Sequence, residues 1–161
     1  MSKALISLAT VFGMLTSTAS AHEVSASSAT VTVKDGQIEI LQTTPLGTAA
    51  VAASETASTE ITIDDPEDIL NAMSQSWHVN GVASECGLAR QAYRLQHHGT
   101  EIQLRYLYSC EPGEAPQTLT ANWLEKTPSD HFLIFTIATE AKSKTVIFEH
   151  QPLSIDISQL N

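Results

Sequence analysis

The chain has 161 residues, 42% of them apolar and 16% charged, with 8 basic against 18 acidic side chains and a formal net charge of −10. Such an acidic balance disfavours a phosphate backbone or an anionic lipid surface, so nucleic acid is excluded as an expected partner. The length suits one domain with a real core and leaves too little for two.

Met1-Ser2-Lys3 precede an apolar stretch from Ala4 to Leu15, and Ser17-Thr18-Ala19-Ser20-Ala21 places small residues where a signal peptidase reads. The sequence therefore predicts a signal peptide over 1–21, cleaved after Ala21, and a single β-rich exported domain over 22–161. About a dozen apolar residues do not cross a ~30 Å hydrocarbon core, and no later run reaches the ~18 required. A periplasmic or otherwise exported placement is expected, without membrane insertion of the mature chain.

After a polar lead-in from His22 to Ser28, β-branched residues alternate through Ala29–Lys34 and Gln37–Leu41 around Asp35-Gly36, a hairpin signal. Thr43 to Ser58 turns to Thr, Ala and Ser with Pro45 and Gly47, which reads as a loop or irregular edge segment. Glu60–Ile63 is a short strand candidate. Asp65 as cap, Pro66 at the first helical position and the acids Glu67 and Asp68 then start a helix. Ile69, Leu70, Met73 and Trp77 give it one apolar stripe, so a single short helix is predicted over about 65–77, ending before Val79-Asn80-Gly81-Val82.

Gln91–Gln96 alternates around Tyr93 and Leu95 and forms a hairpin with the following strand, placing His97 and His98 at its tip. In that second strand Ile102, Leu104, Tyr106, Tyr108 and Cys110 alternate with Gln103, Arg105, Leu107 and Ser109, the pattern of a half-buried central strand. Glu111–Pro116 breaks the pattern. Strands are then expected over 118–123, 130–137, 145–150 and 153–157. The sum is a mainly β fold, an antiparallel β-sandwich of about eight strands with one short helix.

Cys86 and Cys110 are the only two cysteines. In an oxidising compartment a disulfide between them is the economical reading, beside two alternatives, soft metal ligands and a redox-active pair, the latter usually close-spaced as Cys-x-x-Cys. His22 would become the mature N-terminus, offering its α-amine and imidazole to one ion such as copper, nickel or zinc, with Glu23 beside it. His97, His98 and His131 are further candidate ligands. Adjacent strand residues such as His97 and His98 point to opposite faces and share an ion only across an irregular turn. His150, which ends a strand, reads as an edge histidine or a ligand. Trp77, Tyr93, Tyr106, Tyr108 and Trp123 read as core aromatics before they read as a ligand groove. No nucleophile elbow, phosphate loop or close-spaced cysteine pair is written in the chain, so no catalytic residue is nominated and a non-enzymatic role is expected.

Ala21-His22-Glu23-Val-Ser-Ala-Ser before a hairpin, then Trp77-His-Val-Asn-Gly-Val with Cys86, Leu104-Arg-Tyr-Leu-Tyr-Ser-Cys110 and Pro128-Ser-Asp-His131, form an order that resembles a known module. It is similar to the extracytoplasmic N-terminal domain of the HupE/UreJ-type hydrogenase and urease accessory membrane proteins, a family linked to nickel or cobalt uptake. Family members continue into several membrane helices that the sequence to Asn161 does not hold, so transport is not carried over, and only the cysteine pair transfers residue by residue. The Tyr-x-Tyr-x-Cys strand also resembles small periplasmic zinc-uptake proteins, whose histidine-rich segment has no counterpart in Thr43–Ser58. The resemblance implies an accessory or binding domain in transition-metal (Ni, Co, Zn or Cu) uptake, with a metal ion as possible cofactor and an inner-membrane metal permease as possible partner. The alternative is an interaction module that grips a membrane partner through a sheet edge, without metal.

Overall fold

Asp35 and Gly36 both take positive φ, 51° and 74°, the backbone of a two-residue type I′ turn. They close the first strand, β1 (Ala26–Lys34), onto β2 (Gln37–Pro45) in the hairpin the Asp-Gly pair predicts. A side chain at Gly36 would also meet the Glu114 carbonyl at 3.0 Å, so the position is closed to larger residues twice over. The computed structural model describes residues 25–160, which leaves the expected signal peptide and His22 outside the described residues.

The chain continues through α1 (Leu46–Ala57), α2 (Pro66–Ser74), β3 (Trp77–Asn80), β4 (Gly87–Gln96), β5 (Glu101–Ser109), β6 (Thr118–Ala121), β7 (Phe132–Ala138), β8 (Ser143–Glu149) and β9 (Leu153–Asp156). The strands form a six-stranded sheet in the order β4-β5-β2-β1-β7-β8 and a three-stranded sheet in the order β3-β6-β9. The fold is mainly β and sandwich-like, as expected. Pairing is antiparallel except where β1 runs parallel to β7, with Ala29 opposite Phe135.

Alternation decides which face of the large sheet is covered. Ala29, Val31, Ile38, Ile40, Ile102, Leu104, Tyr106, Leu133, Phe135 and Ile137 point inward and are buried, while their neighbours in sequence face out. Each large apolar side chain buried in this way stabilises the fold by about 1.5–3 kcal/mol. The small sheet and both helices form the second layer over this inner face, contributing Trp77, Val79, Leu119, Ile69 and Met73 to one continuous apolar cluster. Tyr108 Oη ties the layers by donating to the Ser74 carbonyl at 3.0 Å.

Three expectations need correction. Residues 46–57, read as part of a loop, are a twelve-residue helix. Alanine is the strongest helix former, and Leu46, Ala49, Ala50, Ala52 and Ala53 make a buried face too small in volume to register as an apolar period. Pro45 lies just before the first turn, where it breaks nothing, and Ser58 ends the helix in the left-handed conformation. There are thus two helices among the described residues, and the second is shorter than predicted because Trp77 opens β3 opposite Ala121. Glu60–Ile63 forms no strand: the Ile61 N–H donates to Ser54 Oγ at 2.9 Å, which holds the segment against the end of α1.

Cys86 and Cys110 form a disulfide. It joins the residue before β4 to the residue after β5, so it clamps one end of that hairpin, and His97 and His98 sit at the other.

Candidate functional site

The nominated histidines lie apart. His97 and His98 form the hairpin tip with φ of 47° and 58°, the irregular turn that would let neighbours share an ion. Both are exposed, and His97 Nε2 instead lies 3.3 Å from Glu101 Oε2. Exposed His150 follows β8, and His78 Nδ1 lies 3.1 Å from Glu85 Oε1 beside the disulfide. Among the described residues, no three His, Cys, Asp or Glu side chains are grouped to hold a metal ion.

His131, the fourth nominated ligand, is buried between the layers, and both of its ring nitrogens are occupied. Nε2 lies 2.8 Å from Ser27 Oγ and Nδ1 lies 2.8 Å from Ser25 Oγ. Ser27 donates its one proton to Thr44 Oγ1 at 3.0 Å, so it accepts from the ring, which places the imidazole proton on Nε2 and leaves Nδ1 to accept from Ser25. Thr44 also accepts from Gln42 Nε2 at 3.0 Å, and Gln42 Oε1 accepts from Trp77 Nε1 at 3.1 Å. Burial holds the His131 pKa below its ordinary value, with the Asp130 charge opposing in part. A Ser-His contact invites a catalytic reading, but Ser27 and His131 are 3% and 1% exposed and no carboxylate accepts from the ring. This chain of side chains ties β1, β2 and β7 to the second layer.

The accessible chemistry lies on β4. With ten residues it is the longest described strand, and it ends the six-stranded sheet. It pairs with β5 on one side, and residues 87–96 make no backbone hydrogen bond to any other element among the described residues. A register shift between Leu88 and Arg90 marks a bulge at Ala89, after which the two faces differ sharply. Gln91, Tyr93 and Leu95 pair with Tyr106, Leu104 and Ile102 and so face inward, yet Tyr93 and Leu95 are 41% and 43% exposed. The second layer stops short of them. Its nearest tie is Gln91 Nε2 donating to Asn71 Oδ1 of α2 at 2.6 Å.

The outward residues Arg90, Ala92 and Arg94 pair with Leu107, Arg105 and Gln103 on the open face of the sheet. Arg90, Arg94 and Arg105 are every arginine of the chain, gathered on two adjacent strands of an acidic protein. Arg105 is ion-paired through Nε to Glu39 Oε1. Arg90 and Arg94 have no carboxylate within 4.0 Å among the described residues. Troughs of about 380 and 260 Å³ lie on the open face, the first bordered by Arg94 and the second by Arg90, with Ala92, Arg105 and Glu39 lining both.

These residues were visible in the sequence only as spacing. Arg90 and Arg94 are four apart, which on a strand means one face, but the bulge that sets their phase and the failure of the second layer to reach Tyr93 are tertiary facts. Of the five aromatics expected in the core, Trp77, Tyr106, Tyr108 and Trp123 are buried, and Tyr93 is the exception. No family model matches the chain, and no characterised protein matches it.

Proposed function

We propose that this domain is a non-enzymatic binding module of the exported compartment that takes up a segment of a partner protein as an added strand along β4. The observation that carries the proposal is β4 itself: an edge strand of ten residues with a free backbone row and with Tyr93 and Leu95 left exposed on its inward face. Exposed strand edges template the pairing of another chain, and main-chain hydrogen bonds then supply affinity while alternate side chains supply choice. The disulfide supports the placement, and no helix among the described residues is long and apolar enough to cross a membrane. An inner-membrane protein with a segment exposed to the same compartment is the proposed partner. Metal handling, the role the resemblance implies, would rest on His22, which lies outside the described residues, since His97, His98 and His131 are not gathered into a site.

Hydrogen exchange tests this directly. Peptides of about twelve residues, long enough to span the edge at ~3.3 Å per residue, are selected from a displayed random library on the purified protein. Bound peptides are expected to slow exchange at alternate β4 amides. Protection confined to β8 or to the helical layer, or no selectable peptide, would remove the proposal.

A further inference from the structure

We infer that the strand accepted by β4 alternates acidic with apolar residues, its carboxylates turned toward Arg90 and Arg94 and its apolar side chains toward Tyr93 and Leu95. The inference rests on the edge-binding reading above and specifies which sequences that edge selects. It follows from the difference between the two faces of β4. A strand added beside it places its side chains about 4.5–5.5 Å from their β4 neighbours, so every second residue shares the open face with Arg90, Ala92 and Arg94. Those arginines have no carboxylate partner among the described residues, whereas Glu39, the carboxylate that lines the neighbouring troughs, is already ion-paired to Arg105. A carboxylate at a neighbouring position of the added strand meets Arg90 or Arg94 directly, since arginine presents a fork matched to it.

The remaining residues of the added strand face the other way, beside Tyr93 and Leu95, and cover apolar surface that the second layer leaves in water. A carboxylate is disfavoured on that side. Glu67 lies one turn before Asn71 on α2 and shares the helix face that meets Gln91, so it adds negative charge there. The added strand is therefore read on both faces by opposite chemistries.

The same residues argue against a second copy of this chain. Two β4 strands side by side would bring four arginines onto one face, and like charges across a strand pair are destabilising. The bulge and arginines thus blunt self-association while leaving the edge open to a strand of opposite charge. The charge of the whole chain sharpens this: at −10 it disfavours acidic partners at long range, so such a partner needs a local gathering of cations, which Arg90 and Arg94 supply on β4.

The test selects the same displayed library on the wild-type protein and on the Arg90→Glu/Arg94→Glu variant. The wild-type pool should be enriched in Asp or Glu at alternate positions with apolar residues between, and the variant pool should carry Lys or Arg in their place. Peptides from the wild-type pool should bind the variant about tenfold more weakly or worse, as expected for losing two exposed ion pairs and meeting two like charges. Arg90→Lys/Arg94→Lys, which keeps the charge, should retain most of the binding and so separates charge from misfolding. Pools that protect β4 amides but show no acidic alternation, or that do not differ between the two proteins, overturn this inference and leave edge binding standing. Peptides that protect no β4 amide overturn both.

Discussion

His131 Nε2 and Ser27 Oγ meet at 2.8 Å where the chain enters β7 beside β1, the one parallel pair of neighbouring strands in the large sheet among the described residues. The contact is buried, and Ser27 is already committed as a donor to Thr44. Ser27→Ala therefore strands the ring N–H rather than merely deleting a hydroxyl. A loss of about 1–3 kcal/mol is expected from leaving one buried polar group unpaired, measured as a lower urea midpoint with an unchanged slope.

The same histidine links stability to pH. Burial lowers its folded pKa below the ordinary value of 6.5, Asp130 only partly opposing, so between the two values the unfolded chain binds more protons than the folded one. Its contribution is fully present above the unfolded pKa, declines as pH falls below it, and is gone once pH has passed through the folded value. The urea midpoint should fall between about pH 7.5 and pH 5, and His131→Gln should show a smaller fall even if less stable throughout. Equal falls in both proteins would assign the effect to other groups.

Reduction of Cys86–Cys110 reopens a loop whose ends are 24 residues apart. In the chain-entropy model that costs about 3–4 kcal/mol, a large part of a typical domain's ~5–15. The double Cys86→Ala/Cys110→Ala variant should show this loss in urea with or without reductant, whereas the wild type should show it only with reductant. Because the bond clamps the root of the β4–β5 hairpin, hydrogen exchange in β4 should quicken more than in β7.

Tyr106 offers the opposite sign. Its hydroxyl is buried with no hydrogen-bond partner among the described residues, and burial, reinforced by Tyr108, pushes its pKa well above the ordinary value. Tyr106→Phe removes a desolvated group and loses no bond, so stability should hold or rise by about 1 kcal/mol. Tyr108→Phe is the control: it loses the bond to the Ser74 carbonyl and should be destabilised.

Much of this architecture was legible because it is local. The Asp35-Gly36 turn, the alternation of Ile102 to Tyr108, the Asp65-Pro66 start of α2 and the pairing of the two cysteines each follow from backbone preferences or chain arithmetic confined to a few residues. Helix α1 was not legible, because its buried face is alanine, which carries high helix propensity but little hydrophobic contrast.

By itself the sequence determined a mainly β, disulfide-clamped, acidic chain, since period, turn chemistry and composition are properties of neighbours. Only the tertiary structure decided that His131 is an interior hydrogen-bonding residue and that β4 is an edge. Those outcomes depend on strand order, on one bulged residue and on where the second layer ends. The same alternation that buries Tyr106 on a central strand leaves Tyr93 in water on the next one.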